Sequence, residues 1–253
     1  MGTVGEDFDD YRCWLDSQGV DTSMVKVIPG KFTASFFANT DLSNAQIASF
    51  YTGAMANASE LSLYKVKRKA VDLVVISPND PDAMDQYVKE CNELKIPYLY
   101  DPSQQIVRMT PEALRRGVEQ AHCVFVNDYE FGLLQKHTGL NANDLLSSIK
   151  IVVVTKGEKG AEVHVCGETY FIDTVKPETI ADPNGVGDAF RAGFLKGYSL
   201  GFDWQTCGQM GALAATYCLE QKGTQTHAYT RQEFVNRYRA NFDDNGLLDV
   251  LIK

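Results

Sequence analysis

The sequence predicts an α/β protein with a mainly parallel, doubly wound sheet and helices on both of its faces. Three observations predict it. Continuous apolar runs of strand length alternate with helical stretches between residues 71 and 155, the pattern of βαβ units buried on both faces. Two of those helical stretches open on proline, at Pro81 behind the capping residue Asp80 and at Pro111. The chain has 253 residues, 44% hydrophobic and 23% charged, enough to bury a core without a disulfide or metal staple.

The elements follow in chain order. Residues 6–19 place Phe8, Tyr11, Trp14 and Leu15 at helical spacing before Gly19, so a short helix is predicted there. Residues 24–28 and 32–38 read as two strands of a hairpin around the turn dipeptide Pro29-Gly30. Residues 71–77 form a buried strand, and a helix runs from Pro81 to about Leu94. Residues 98–100 are the next strand, stopped by Asp101-Pro102. A helix follows from Pro111, then a strand at 123–126, a helix at 128–136 and a strand at 151–155. Residues 161–165 and 169–172 flank the turn Cys166-Gly167-Glu168 as a hairpin. Three helices complete the chain, over 188–200, over 203–221 before Gly223, and from the capping box Thr230-Arg231-Gln232-Glu233. No repeat or linker interrupts the pattern, so one main domain spans 1–253.

Charge narrows the partners. The 24 Lys and Arg against 33 Asp and Glu leave a net charge of −9, whereas a polyanion binder shows a basic face. The densest basic cluster, Lys65, Lys67, Arg68 and Lys69, reads as the solvated side of a helix. Neither nucleic acid nor an anionic membrane is therefore expected as a partner. No apolar run reaches the ~18 residues of a membrane span, and the acidic start lacks the build of a signal peptide. The six cysteines form no CxxC pair. They read as buried, reduced thiols of a cytoplasmic protein.

Residues 182–190, DPNGVGDAF, carry the chemistry. They follow a strand and open a helix. Two glycines let the backbone turn sharply and let a ligand approach its N–H groups. A helix N-terminus supplies unpaired donors and a positive dipole end, which suit a phosphate. Asp188, in the first helical turn, either compensates that dipole or takes a proton beside a bound phosphoryl group. Phe190 stands where a dinucleotide fingerprint needs a small residue, and no stretch matches GxxxxGK[ST].

The stretch DPNGVGDAFRAGF resembles the C-terminal signature of the PfkB/ribokinase family of small-molecule kinases, whose pattern is D-T-x-G-A-G-D. Asn127-Asp128-Tyr129-Glu130 resembles the family's N-x-x-E motif. Residues 155–160, TKGEKG, resemble its T-x-G-x-x-G turn, and Lys222-Gly223-Thr224-Gln225 its stretch near the adenine. The motifs occur in the family's order from about residue 3 to the C-terminus. The resemblance implies a ribokinase-like fold and ATP-dependent phosphoryl transfer to a hydroxymethyl group of an adenosine-like nucleoside or a sugar.

It also implies roles. Asp188 is the general base, and the N–H groups of Gly185, Val186 and Gly187 form an anion hole for the γ-phosphoryl. Asn127, Thr155, Gly157, Gly160, Ala212, Ala215 and Gly223 contact ATP. Glu130, with Asn127, holds Mg2+ through water. Asp182 helps to hold a monovalent cation, K+ in this reading, although the family's usual Thr is Asn184 here. Residues of about 20–40 are the remnant of a small β lid, through which family members dimerise.

The family's opening strands, with a substrate-binding Asp and a G-G-x-x-x-N segment, have no counterpart. The glycines before position 50 are Gly2, Gly5, Gly19 and Gly30. The expectation is a kinase domain lacking its N-terminal strands, less stable than a full-length relative. The competing expectation is a nucleotide-binding fragment that is catalytically silent because the acceptor half is missing.

Overall fold

The computed structural model describes residues 1–40, 46–66 and 71–253. Two compact units divide the chain, Met1–Gln120 and Ala121–Lys253.

The first unit begins with a strand that the sequence reading does not assign, β1 (Gly2–Val4), parallel to β2 (Val25–Val27). Helix α1 (Asp9–Ser17) lies between them and ends near Gly19, at φ 78°. The hairpin expected around Pro29-Gly30 does not form. The hairpin is β3 (Ser35–Thr40) with β4 (Gln46–Tyr51). The reason is where residues 28–33 find partners. Ile28 N–H donates to the Val4 carbonyl and Glu6 N–H to that of Lys31. The Asp7 carboxylate accepts from both the N–H and the hydroxyl of Thr33. The segment after the turn therefore runs beside residues 4–7 instead of folding back on β2. Phe36, Phe37, Ile47 and Phe50 of the β3–β4 pair are exposed. Of the basic cluster, Lys65 ends a short 3-10 turn, and Lys67, Arg68 and Lys69 lie outside the described residues.

The βαβ pattern then appears as predicted. Strands β5 (Val74–Ile76) and β6 (Tyr98–Tyr100) are parallel, joined through α2 (Pro81–Leu94). Asp80 caps α2 by accepting from the N–H groups of Asp82 and Ala83. Helix α3 (Pro111–Glu119) is capped by Thr110. Gly117 is required in α3, because a Cβ there would fall 2.5 Å from the Tyr100 ring.

The second unit carries β7 (Cys123–Asn127) parallel to β8 (Ile151–Thr155), with Asn127 opposite Thr155. Helix α4 (Asp128–Thr138) follows β7, and then α5 (Ala142–Ser148), which the sequence reading does not assign. Its signal was present: Asn141 and Asp144 make a capping box. Strand β9 (Ala161–Val165) pairs antiparallel with β8, and β10 (Glu168–Ile172) antiparallel with β9, as the expected hairpin. Helices α6 (Val186–Ser199), α7 (Trp204–Leu219) and α8 (Arg231–Asn241) complete the unit. Close packing of α6 on α7 depends on missing side chains. A Cβ on Gly193 would come 2.5 Å from the Met210 carbonyl oxygen. Met210, Leu213, Phe234, Val235, Tyr238 and Leu248 form the core between α7, α8 and the C-terminal turn.

All six cysteines are unpaired. Cys91, Cys123, Cys207 and Cys218 are buried, but Cys13 and Cys166 are exposed, which corrects the uniform expectation. Burial pushes the Cys91 and Cys207 thiols up to about 12, so they stay protonated and unreactive near neutral pH. Among the described residues no helix is long and apolar enough to cross a membrane.

Candidate active site

Two groups of predicted residues come together in the second unit. The first lies at the carboxyl ends of β7 and β8, where ligands of parallel sheets bind. Asn127 and Thr155 are register partners there. Asn127 also opens α4 through a reciprocal capping box. Its Oδ1 accepts from the Glu130 N–H, and a Glu130 carboxylate oxygen accepts from the Asn127 N–H, both at 2.8 Å. A structural role of this pair is thus established by geometry. A carboxylate and an amide oxygen side by side are the kind of oxygen donors that a hydrated Mg2+ takes through water.

Beyond Thr155 the chain turns through Gly157–Lys159, and the Lys156 N–H donates to the Gly160 carbonyl at 2.8 Å. The two glycines of this turn differ. Gly157, at φ 59°, faces open space. Gly160, at φ 84°, is pressed against β10, where a Cβ would fall 2.0 Å from the Ile172 carbonyl oxygen. Gly157 leaves room for a ligand, whereas Gly160 makes room for the sheet.

The second group is the loop before α6. The Ala181 and Asp182 N–H groups donate to the Leu219 carbonyl at the end of α7. One Asp182 carboxylate oxygen accepts from both the N–H and the side-chain amide of Asn184, at 2.9 and 2.8 Å. The other accepts from the Gly223 N–H at 3.0 Å. These bonds, the Asn184 N–H first, hold the Asp182 carboxyl below its ordinary value. They also bring Gly223 to the loop, with Thr224 packed so closely that a Cβ on Gly185 would fall 2.9 Å from it. The Asp182 carboxylate is thus engaged by three N–H donors, and the Asn184 and Thr224 carbonyl oxygens lie around the Cys218 thiol nearby.

Gly185, left-handed at φ 80°, is the N-cap of α6 and gives no side-chain cap. Helices α2, α3, α4, α5, α7 and α8 all have one, from Asp80, Thr110, Asn127, Asn141, Asp203 and Thr230. The first-turn N–H groups of α6 therefore keep their donor capacity. A Cβ on Gly187 would meet nothing within 4 Å, so the backbone is open to an anion. Asp188, one residue on, has a side chain 73% exposed and in contact with the Arg191 guanidinium. Desolvation by its surroundings nevertheless raises its carboxyl above the ordinary value.

Phe190 confirms why this is no dinucleotide fingerprint. It is buried against Phe125 of β7 at 6.4 Å between ring centroids, filling the space that motif keeps empty. The same contact joins the two groups, since Phe125 lies two residues before Asn127 and Phe190 two after Asp188. On α7, Ala212 is buried in the packing while Ala215 keeps some surface. Arg191 was missed by the sequence reading. Its signal is the spacing of three from Asp188 on one helix.

Comparison with known proteins gives the same direction. The model of the pfkB family of carbohydrate kinases matches residues 1–231. The structure of the Burkholderia thailandensis nucleoside kinase in complex with inosine is 34% identical and superimposes with a TM-score of 0.92. That match covers 96% of this chain and 81% of the other. The nucleoside kinase of Methanocaldococcus jannaschii is 29% identical over 239 residues, 94% of this chain and 78% of the relative. The cytidine kinase of Thermococcus kodakarensis is 28% identical over 237 residues, 87% of this chain and 80% of the relative.

Proposed function

Because the chain belongs to the pfkB family of carbohydrate kinases and is a small-molecule kinase, we propose that it transfers the γ-phosphoryl group of ATP to the hydroxymethyl group of a nucleoside. The observation that carries this reading is the start of α6. Uncapped N–H donors open beside Gly187, and a carboxylate stands one residue further on. Phosphoryl transfer needs little more from the protein than that pairing of anion stabilisation and an oriented proton acceptor.

In this reading the N–H groups of Gly185, Val186 and Gly187 stabilise charge on the γ-phosphoryl oxygens. Asp188 accepts the hydroxyl proton as the acceptor oxygen bonds to phosphorus and the bond to the β-phosphate oxygen breaks. Thr155 and Gly157 face the nucleotide phosphates, Gly223 lies near the adenine, and Ala215 is the adenine contact on α7. Mg2+, when bound through Glu130 and Asn127, neutralises phosphate charge. An adenosine-like or inosine-like acceptor is favoured by the inosine complex of the 34% identical relative. The use of ATP is favoured by the complex of that relative described as ADP-inosine.

A panel assay tests the proposal. Protein, ATP and Mg2+ are incubated with adenosine, inosine, cytidine, ribose and fructose, and phosphorylated product is measured. A nucleoside 5′-phosphate is the expected product. Bound ATP with no product from any acceptor would replace the kinase reading with that of a silent nucleotide-binding chain. The exposed Phe36, Phe37 and Ile47 of the β3–β4 pair are read as a surface for a second copy. Sedimentation velocity is expected to give a dimer, and Phe37→Ser with Ile47→Ser a monomer.

A further inference from the structure

We propose that Arg191 is the positioning residue of the base, holding the Asp188 carboxylate ionised and aimed and thereby setting the acid limit of turnover. The inference rests on the reading of Asp188 as general base and goes beyond it. Arg191 lies one helical turn after Asp188, and its guanidinium contacts the Asp188 carboxylate. The pair is asymmetric. The Arg191 side chain is 11% exposed and the Asp188 side chain 73% exposed. An ordinary i,i+3 surface pair holds two mobile, hydrated side chains. Here the cation is the buried member, and burying a guanidinium is costly unless it is paired. The planar fork is thus a fixed seat beneath an exposed carboxylate.

The other charged and titratable groups around Asp188 do not replace it. Cys218 of α7 lies close enough to feel the Asp188 charge, but burial keeps its thiol protonated. Asp182 of the preceding loop is an anion and has its own N–H partners. Desolvation raises the Asp188 carboxyl, and a cation in contact with a carboxylate acts in the opposite sense. In a loose transition state the hydroxyl proton leaves late. The site then needs an ionised, oriented carboxylate more than a strong base, and an arginine seat supplies that. When Asp188 accepts the proton, its charge is lost, so the pair changes state with the reaction.

The test is the pH dependence of kcat/KM, with Mg2+, ATP and the best nucleoside acceptor, for the wild type, Arg191→Met, Arg191→Lys and Asp188→Asn. Arg191→Met is expected to move the acid limb up by about 0.5–1 pH unit, the low end for a lost arginine neighbour because the carboxylate is exposed. It is also expected to lower kcat on the plateau about tenfold, with the KM for ATP changed less than about threefold. Arg191→Lys should restore the position of the limb but leave kcat at least about threefold low, since an ammonium gives charge without the fork. An unmoved limb and an unchanged plateau in both variants, with only a lower melting temperature, would overturn the inference. If Arg191→Met does not fold, Arg191→Lys decides alone: a wild-type plateau overturns it. Asp188→Asn separates the two layers. Turnover retained in that variant defeats the general-base reading itself, whereas its loss beside unmoved Arg191 variants defeats only the role of Arg191.

Discussion

At the scale of single residues, the kinase reading depends on what Asp188 and Asp182 each do with a carboxylate. Asp188 is raised by desolvation and acts as a base only when ionised. Turnover should therefore be flat at higher pH and fall as pH drops through a pKa above the ordinary carboxylate value. Asp188→Asn, nearly the same in shape, should lose about 10²–10⁴-fold in kcat, the usual worth of a positioned base, with ATP binding unchanged. Calorimetry on the variant checks the second half of that statement. Asp182 works in the opposite sense. Its N–H partners hold it ionised, and it ties the Asn184 loop to Gly223. Rates in K+, Na+ and a bulky organic cation separate this tie from a cation site: agreement within about twofold leaves Asp182 the tie alone, whereas collapse without K+ gives it a cation as well. Asp182→Ala should instead raise the KM for ATP about tenfold by releasing the two segments, an effect of positioning more than of chemistry.

At the scale of elements, the sharpest expectation concerns the turn after β8. Gly160 has both a left-handed φ and a neighbouring carbonyl oxygen 2.0 Å from where a Cβ would stand. Gly160→Ala should cost more than about 1 kcal/mol, since strain and a backbone clash add. Gly157→Ala at φ 59° in open space should cost less, and a pair of melting curves ranks the two. The same turn shows what sequence can carry. Strands β6, β8 and β9 fall on the predicted residues because apolar runs and turn signals are local. The helix starts at Asp80 and Thr230 follow from capping chemistry within four residues. β1 was not legible, because its three residues are fixed by pairing with Val25–Val27 some twenty positions away. The displaced hairpin has the same cause, since Pro29-Gly30 marks a turn but does not say which strands flank it. The loop before α6 was legible as a contiguous motif. The link from Asp182 to Gly223, 41 residues apart, was not, and neither was the burial that distinguishes Gly160 from Gly157.

At the scale of the whole molecule, a net charge of −9 means that an anionic nucleotide must be drawn in by local donors against the average field. Affinity should then depend on Mg2+, which reduces the nucleotide's charge, and on the open start of α6. Thermal unfolding measures this without any acceptor. At a nucleotide concentration about 100 times its Kd, binding to the folded chain adds about 2.7 kcal/mol, which corresponds to a rise in Tm of about 5–10 °C for a chain of this size. The rise should shrink when Mg2+ is chelated, and Gly187→Val, which fills the open face of the anion hole, should remove most of it. Asp188→Asn should keep it in full, because in the proposed reading Asp188 meets the acceptor hydroxyl and not the nucleotide. A shift in the wild type that vanishes in Asp188→Asn would mean that Asp188 belongs to nucleotide binding, and the division of labour along the first turn of α6 would have to be redrawn.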